Sequence, residues 1–455
     1  MFERLAQADE ADAVVWRGRT ISYRELLASV SSWEARLRAM GLQSGASCGI
    51  VGDFSPSTIA LLLALLRLGA VAVPVSPDAA REMAAITTTA SISCLFSFDA
   101  DDNVAIELFE PSPRLPLLAD FSRSGAPGLV VFTSGSSGKP KAILHDANRV
   151  LGKFERPRPG HRMLMCLMFD HFGGLNTLFA CLSYGGTAIC LPQRKPEFVC
   201  AAIESARADL LPTTPTFLRM ILASDAWRTR DLSSLKVISF GAEPMPPSTL
   251  ALLRETFPKV ELKQTYGLSE LGVLHSKSPD PSSLWLRIGG HGFETKVHDG
   301  VLYVRSASSM VGYLNADSPL DAEGWMCTND LVEEKDGLFR FLGRTSEIVN
   351  VGGNKVHPSE VEEVLMQAPN VADATVVGIP HPLLGHAVGA RISLVAPEDE
   401  RAASTRLRRF CLERIAKFKV PMRFEFLAME ALATVRAKKQ RTNVPSGKEN
   451  PKDGQ

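Results

Sequence analysis

The chain has 455 residues, 45% of them hydrophobic and 22% charged, with 50 basic side chains set against 50 acidic ones. This is ordinary globular composition with room for two or three domains, and it excludes a disordered chain. With the charges cancelling, no global field favours nucleic acid or an anionic membrane, so any charged function must be local.

Eight cysteines form no Cys-x-x-Cys pair and nine histidines no His-Glu-x-x-His. Neither zinc spacing nor a disulfide framework is signalled, and the thiols read as buried groups of a reducing cytosol. The N-terminus, Met-Phe-Glu-Arg, lacks a signal-peptide core. The apolar run from Ile59 to Leu66 is broken by Arg67, Gly69 and Pro74 too soon to cross a bilayer. The expectation is a soluble, cytoplasmic protein with no membrane span and no nucleic-acid partner.

Along the chain, Ser22 and Glu25 form a capping-box pattern ahead of Leu26, Leu27, Val30 and Leu37, which predicts a helix. The stretch from Pro74 to Gly128 reads as short and irregular, with Asp99, Asp101 and Asp102 clustered and then Pro111 and Pro113. From about residue 22 to 345, helical patterns alternate with short apolar strands, among them 162–169, 186–191 and 235–240. That alternation predicts an α/β fold class, with a large N-terminal domain of layered sheets and helices over residues 1–345. After Arg344 the pattern shifts to a small α+β unit over 346–444. There Ser359 and Glu362 fit a capping box, and 404–419 reads as an amphipathic helix stopped at Val420-Pro421. The tail, 445–455, is polar enough to be expected disordered.

Two islands carry chemistry. Thr133-Ser134-Gly135-Ser136-Ser137-Gly138-Lys139-Pro140-Lys141 has the composition of a phosphate-gripping loop without Walker A spacing. Pro140 holds Lys139 extended, and the flanks 128–133 and 142–144 read as strands, so the loop joins two strands instead of opening a helix. Its hydroxyls, free amides and two lysines can close over a triphosphate. The second island is Gln264-Thr265-Tyr266-Gly267-Leu268-Ser269-Glu270. Its ring can stack on adenine, Gly267 admits a close backbone approach, Ser269 can reach a phosphate, and Glu270 offers a hard oxygen to Mg²⁺.

With these islands the chain resembles the acyl-adenylate-forming superfamily, in particular its acyl- and aryl-CoA ligases, over nearly its whole length. Further matches follow in the family's order. Ile21 to Leu27 resembles the opening helix motif, and Gly241-Ala242-Glu243-Pro244 the adenine-binding turn after the strand 237–240. Thr328-Asn329-Asp330 stands where the family has Thr-Gly-Asp, whose carboxylate takes the ribose hydroxyls. Gly343-Arg344 and the run Val351 to Glu362 resemble the hinge and the start of a mobile C-terminal lid, with Ser346 at the hinge position and Gly352 and Gly353 flanking the path of a pantetheine arm.

What the resemblance implies is a two-step reaction. A carboxylate attacks the α-phosphorus of Mg-ATP to give an acyl-adenylate and pyrophosphate; a thiol then displaces AMP, with CoA as the first choice and a carrier-protein phosphopantetheine as the alternative. The family's essential C-terminal lysine corresponds to Lys438 or Lys439: the spacing to Arg441 favours the first and the distance from Leu432 the second. Ala437 replaces the usual glycine. In the acid pocket, His171-Phe172-Gly173-Gly174 resembles the His-x-Gly-Gly of CoA ligases, where the ring guards the carboxylate. The competing alignment sets Phe169-Asp170 on the Phe-Asp of amino-acid-activating domains, but the Gly173-Gly174-Leu175-Asn176 anchor favours the first. Thr214, Phe240, Thr265 and Val273 are expected to complete the lining, whose mostly apolar composition suggests a hydrophobic acid of modest size.

Overall fold

A computed structural model describes residues 1–110, 113–133, 140–280, 283–290 and 292–428. It divides into two compact units, the first comprising Met1–Met245 and Thr249–Phe341, the second beginning at Leu342 and including Pro246–Ser248. Among the described residues no helix is long and apolar enough to cross a membrane.

The first unit holds two seven-stranded sheets. In one, the parallel strands Glu261–Gln264, Val237–Phe240, Leu210–Thr213, Arg162–Leu164, Thr187–Ile189 and Asp12–Trp16 stand in that order, closed by the antiparallel Arg19–Ser22. In the other, Gly128–Thr133, Val71–Val75, Ser47–Val51 and Cys94–Phe98 run parallel at the centre, with antiparallel strands at both edges. Parallel strands must be covered on both faces, and this sheet is. Val71, Val73 and Val75 join one apolar cluster with Ile86, Leu118 and Phe121, while Ala72 joins another on the opposite face.

That opposite face meets the helix Pro56–Leu68, which is apolar nearly all round and therefore stable only when wrapped. Every residue from Ile59 to Leu66 is buried, and each leucine contributes roughly 1.5–3 kcal/mol on leaving water. The apolar run read from sequence as too short to cross a bilayer is thus a central core helix. Ser55 caps it through the amide of Thr58, and Asp102 accepts from the amide of Ser57. At its C-terminus Gly69 adopts φ 76°, and a Cβ there would lie 2.7 Å from the Gly125 carbonyl, so only glycine fits. The expected capping box of Ser22 and Glu25 is present at the start of Tyr23–Ala39.

The stretch expected to be irregular holds regular elements among its described residues. Cys94–Phe98 and Val104–Leu108 form an antiparallel pair, and the acidic cluster is its turn, with Asp99 accepting from the amides of Asp101 and Asn103. Serial Asx bonding makes a turn from residues that read as loop. Cys327 departs from the expectation of buried thiols: it is half-exposed, whereas the other seven cysteines are buried and all are free. A four-stranded antiparallel sheet, Phe293–His298, Val301–Ser306, Trp325–Lys335 and Leu338–Arg344, has its own core of Leu302, Val304, Met326 and Phe339.

Among its described residues the second unit holds a five-stranded sheet in which Gly385–Leu394 is flanked by Val371–His381, Val349–Val351 and Arg423–Phe426. The helices Pro358–Met366 and Glu400–Leu412 accompany it. Two local expectations are corrected there. Pro358 occupies the first helical turn, so His357 is the cap and its partner is Glu360, not the pair Ser359 and Glu362. Ser359 instead donates to the Leu342 carbonyl and the buried Glu362 accepts from the amide of Val376. The later helix starts at Glu400 because Asp399 caps it, and ends at Leu412, before the 3₁₀ turn Lys417–Lys419.

Candidate active site

The strands Gly128–Thr133 and Lys141–Asp146 pair antiparallel with Thr133 opposite Lys141, so the Ser/Gly loop does connect two strands. Ser134, Gly135, Ser136, Ser137, Gly138 and Lys139 lie outside the described residues. The Lys141 ammonium sits 4.8 Å from the Tyr313 ring centroid, and the Tyr313 hydroxyl donates to Glu270 Oε1 at 2.7 Å. Burial, and then the Glu270 carboxylate, push the Tyr313 phenol well above its usual range, so it stays a donor. Glu270 is half-buried in the turn between Tyr266–Leu268 and Gly272–Leu274, its own carbonyl accepting from the amide of Met310 at 2.7 Å. Lys141 and Glu270, far apart in sequence, are therefore joined through Tyr313, a residue that carries no motif, and Thr133 stands opposite Lys141 in the strand pair.

The neighbouring residues of the second island are built for backbone geometry. A Cβ on Gly267 would lie 2.7 Å from the Gly272 carbonyl in the facing strand, and a Cβ on Gly241 2.5 Å from the Thr265 carbonyl. Both glycines are thus required by a close approach within the protein. Ala242 holds φ 69°, a left-handed value that L-residues rarely adopt. Glu243 accepts from the hydroxyl and the amide of Thr216, Pro244 follows it in the same loop, and Thr265 donates both amide and hydroxyl to the Phe240 carbonyl.

Tyr266 is buried, with its ring stacked on Phe341 at 4.4 Å, so one face assigned to adenine by sequence is taken by the protein. Its hydroxyl donates to Asp330 Oδ2 at 2.6 Å. Asn329, in the place of the family's glycine, has φ 58°. Asparagine is the residue that best tolerates this conformation after glycine, so the departure leaves intact the register shift within the strand Trp325–Lys335 that presents Asp330. Ser269 lies between Leu268 and Glu270 and is half-buried.

On the acid side, His171 precedes the helix Phe172–Ser183 with Nε2 3.9 Å from Asp170 Oδ1. Asp170 also lies within the field of Arg194, which is committed to Asp53 by two hydrogen bonds. Phe172 is buried against the ring of His145 at 4.7 Å. Full burial holds the His145 pKa down to about 4, so this ring is neutral near neutral pH. The Gly173-Gly174 anchor has a steric cause: a Cβ on Gly174 would be 2.0 Å from the Met168 carbonyl, and one on Gly173 3.2 Å from Leu167. Thr214 and Phe240 are both buried; Thr214 caps the helix Pro215–Ala223 by accepting from the amide of Phe217, so its hydroxyl has a structural task. Val273 is half-buried, and its carbonyl accepts from the Lys153 ammonium, which also donates to Asn176 Oδ1 at 2.9 Å.

Lys153 and Tyr313 were missed by sequence reasoning. Neither belongs to a motif, and a lone lysine after a short helix or a lone tyrosine in a two-residue strand carries no periodic or spacing signal.

In the second unit, Arg344 is exposed and heads the 3₁₀ turn Thr345–Glu347 that contains the exposed Ser346. Gly352 and Gly353 form a two-residue hairpin turn between Val349–Val351 and Asn354–Val356, with φ 55° and 90°. Two successive positive φ values are the pattern of a tight hairpin turn. Lys438 and Lys439 lie outside the described residues.

Comparison with known proteins identifies the family. The model of the AMP-binding enzyme family matches residues 1–314, and that of the AMP-binding enzyme C-terminal domain matches 360–439. Among curated relatives, the indoleacetate–CoA ligase of Aromatoleum aromaticum is 28% identical, with 91% of each chain covered. The 2-succinylbenzoate–CoA ligase of Bacillus cereus is 26% identical, with 94% of each covered. Among solved structures, an anthranilate CoA ligase in complex with anthranoyl-AMP superposes with a TM-score of 0.83 at 20% identity, over 96% of this chain and 95% of that one. The chain belongs to the AMP-binding enzyme family, and the two curated relatives named above are CoA ligases.

Proposed function

We propose that the protein is an ATP-dependent acid–thiol ligase that converts a carboxylic acid to its acyl-adenylate and then to its CoA thioester. The acid oxygen forms a bond to the α-phosphorus as pyrophosphate leaves; the CoA sulfur then bonds to the acyl carbon as AMP leaves. Little covalent work falls to side chains in the first step, so the site must position charges and neutralise phosphate oxygens.

The observation that carries this reading is the chain of contacts from Lys141 through Tyr313 to Glu270. It puts a cation beside the phosphate-type loop and a carboxylate within one residue's reach of it. Mg²⁺ characteristically takes one or two protein carboxylates with the rest of its shell from water and phosphate, so Glu270 alone suits it. Among the described residues no group of three or more His, Cys, Asp or Glu could hold a metal by itself. When bound, the ion would supply charge neutralisation at the phosphates.

Thr133, the loop 134–139 and Lys141 are assigned to the phosphates, Gly241 to Pro244, Thr265 and Tyr266 to the base, and Asp330 to the ribose. His171 is assigned to the acid carboxylate, Ser346 to the hinge, Gly352 and Gly353 to the pantetheine path, and Lys438 or Lys439 to the adenylation step. The test is to mix the protein with ATP, Mg²⁺, a panel of acids, and either CoA or a holo carrier protein. Equal yields of pyrophosphate, AMP and acyl-CoA are expected. Transfer only to the carrier would replace the thiol assignment, and no pyrophosphate with any acid would refute the ligase.

A further inference from the structure

Lys153 lines a cavity of about 750 Å³ in the first unit, together with Arg149, Arg156, Arg158, Lys277 and Arg287. Glu155 is the lone carboxylate among its described lining residues, set against those six cations. Such a concentration of one sign in a chain of zero net charge is a local device, and it focuses the field on whatever enters. His275, Phe293 and Gly290 supply neutral wall on the same cavity.

Arg156, Arg158, Lys277 and Arg287 are exposed, whereas Lys153 is half-buried and held in place. Its ammonium donates to Asn176 Oδ1 and to the Val273 carbonyl, which accounts for two of its three hydrogens. Burial drives its pKa down to about 7, with Arg158 adding to the effect. A cation kept where it is this poorly solvated gains most from an anionic partner.

The position of Lys153 says which partner. Asn176 stands on the helix that begins immediately after His171, and Val273 three residues beyond Glu270. The lysine therefore bridges the segment assigned to the acid's carboxylate and the segment assigned to the nucleotide's metal. Through Asn176 and Val273, Lys153 is tied to two segments that also carry residues assigned to the acid pocket.

We infer that the acid substrate carries a second anionic group, received by Lys153 within the basic cavity, so that the preferred substrates are dicarboxylate-type acids and not simple apolar ones. This rests on the ligase reading and replaces the apolar acid expected from sequence.

The test uses phenylacetate and its 2- and 4-carboxy derivatives, with pyrophosphate release measured in the absence of CoA. In the wild type a carboxy derivative should show kcat/KM about tenfold or more above phenylacetate, the scale of a hydrogen bond to a charged group. Lys153→Met should collapse that ratio towards unity, and Lys153→Arg should retain part of it. A wild-type preference for phenylacetate, or a ratio unmoved in Lys153→Met, would overturn the inference while leaving the ligase standing. An effect of Lys153→Met confined to the KM for CoA in the full reaction would also overturn it, assigning the cavity to the thiol's phosphates. Calorimetric titration of the same diacid into the enzyme separates the two levels: binding that depends on Lys153 without any pyrophosphate release would keep the cavity assignment and refute the ligase, whereas neither binding nor release would overturn the inference.

Discussion

Glu270 and Lys153 meet the same short hairpin, Tyr266–Leu268 with Gly272–Leu274, by different routes. Glu270 sits in the hairpin's own turn, at the end of a contiguous run whose glycine is demanded by the facing strand. Lys153 arrives from a segment 120 residues earlier in the chain and docks on the hairpin's outgoing carbonyl. The first arrangement is fixed by local backbone geometry, which restricts residue type at successive positions and so leaves a readable string. The second needs only one long side chain at the right place in three dimensions. The nucleotide side is therefore the part of the site expected to be shared with relatives, and the acid side the part free to vary.

The largest effect should come from the nucleotide side. If Lys438 is the lysine that bridges the carboxylate and the α-phosphate, Lys438→Ala should lower acyl-adenylate formation by roughly two to three orders of magnitude. Thioester formation from supplied acyl-adenylate should survive. A selective defect in Lys439→Ala instead would shift the register by one, and equal loss in both half-reactions would remove both from the adenylation step.

Next in size is the link that no motif announces. Tyr313→Phe deletes the hydroxyl that holds Glu270 and keeps the ring beneath Lys141. A lost hydrogen bond to a carboxylate costs about 1.5–3 kcal/mol, so pyrophosphate release should fall roughly tenfold or more. The loss should be recovered in part at high Mg²⁺ if Glu270 is the ion's ligand. An unchanged Mg²⁺ dependence would leave Tyr313 a packing residue and break its place on the nucleotide side.

How much was legible follows the same division. The strand–loop–strand around residues 133–141, the Ser22 cap and the strand Val237–Phe240 were readable because each is set by neighbours in sequence. The glycines at 241, 267 and 174 were readable as positions but not as causes: each is required by a carbonyl of another segment, which a Cβ would approach to 2.5, 2.7 and 2.0 Å respectively. The hairpin 94–108 was hidden because its turn is made by Asp99 side-chain bonds. The basic cavity was hidden because its cations come from the segments 149–158, 277 and 287, whose charges are diluted in sequence and converge only on folding.

The smallest effect is also the one that most sharply tests the acid side, because two observables should move in opposite directions with pH. The groups around the Lys153 ammonium are Arg149, Glu155, Arg156 and Arg158 from its own segment and His275, Lys277 and Arg287 from across the cavity. Burial, followed by the field of Lys153 and Arg158, lowers the His275 pKa below its usual value, so His275 adds little charge above neutral pH. Lys153 itself titrates near 7 instead of 10.5, so above that pH the empty cavity loses its inner cation. Affinity for the second anionic group should therefore weaken by about tenfold from pH ~6 to pH ~8, as the charged fraction falls from about nine-tenths to one-tenth. Binding at the higher pH should take up a proton, read by calorimetry in two buffers of different ionisation enthalpy. Stability runs the other way. Between about 7 and 10.5 the unfolded chain holds a proton on this lysine that the folded one has released. Wild type should thus gain on Lys153→Met as pH rises through that window, and the difference should level off below it. Thermal melts of both proteins at about pH 6, 7 and 9 give that slope. A pH-independent affinity for the diacid would sever Lys153 from the substrate, even if the stability slope appears as expected.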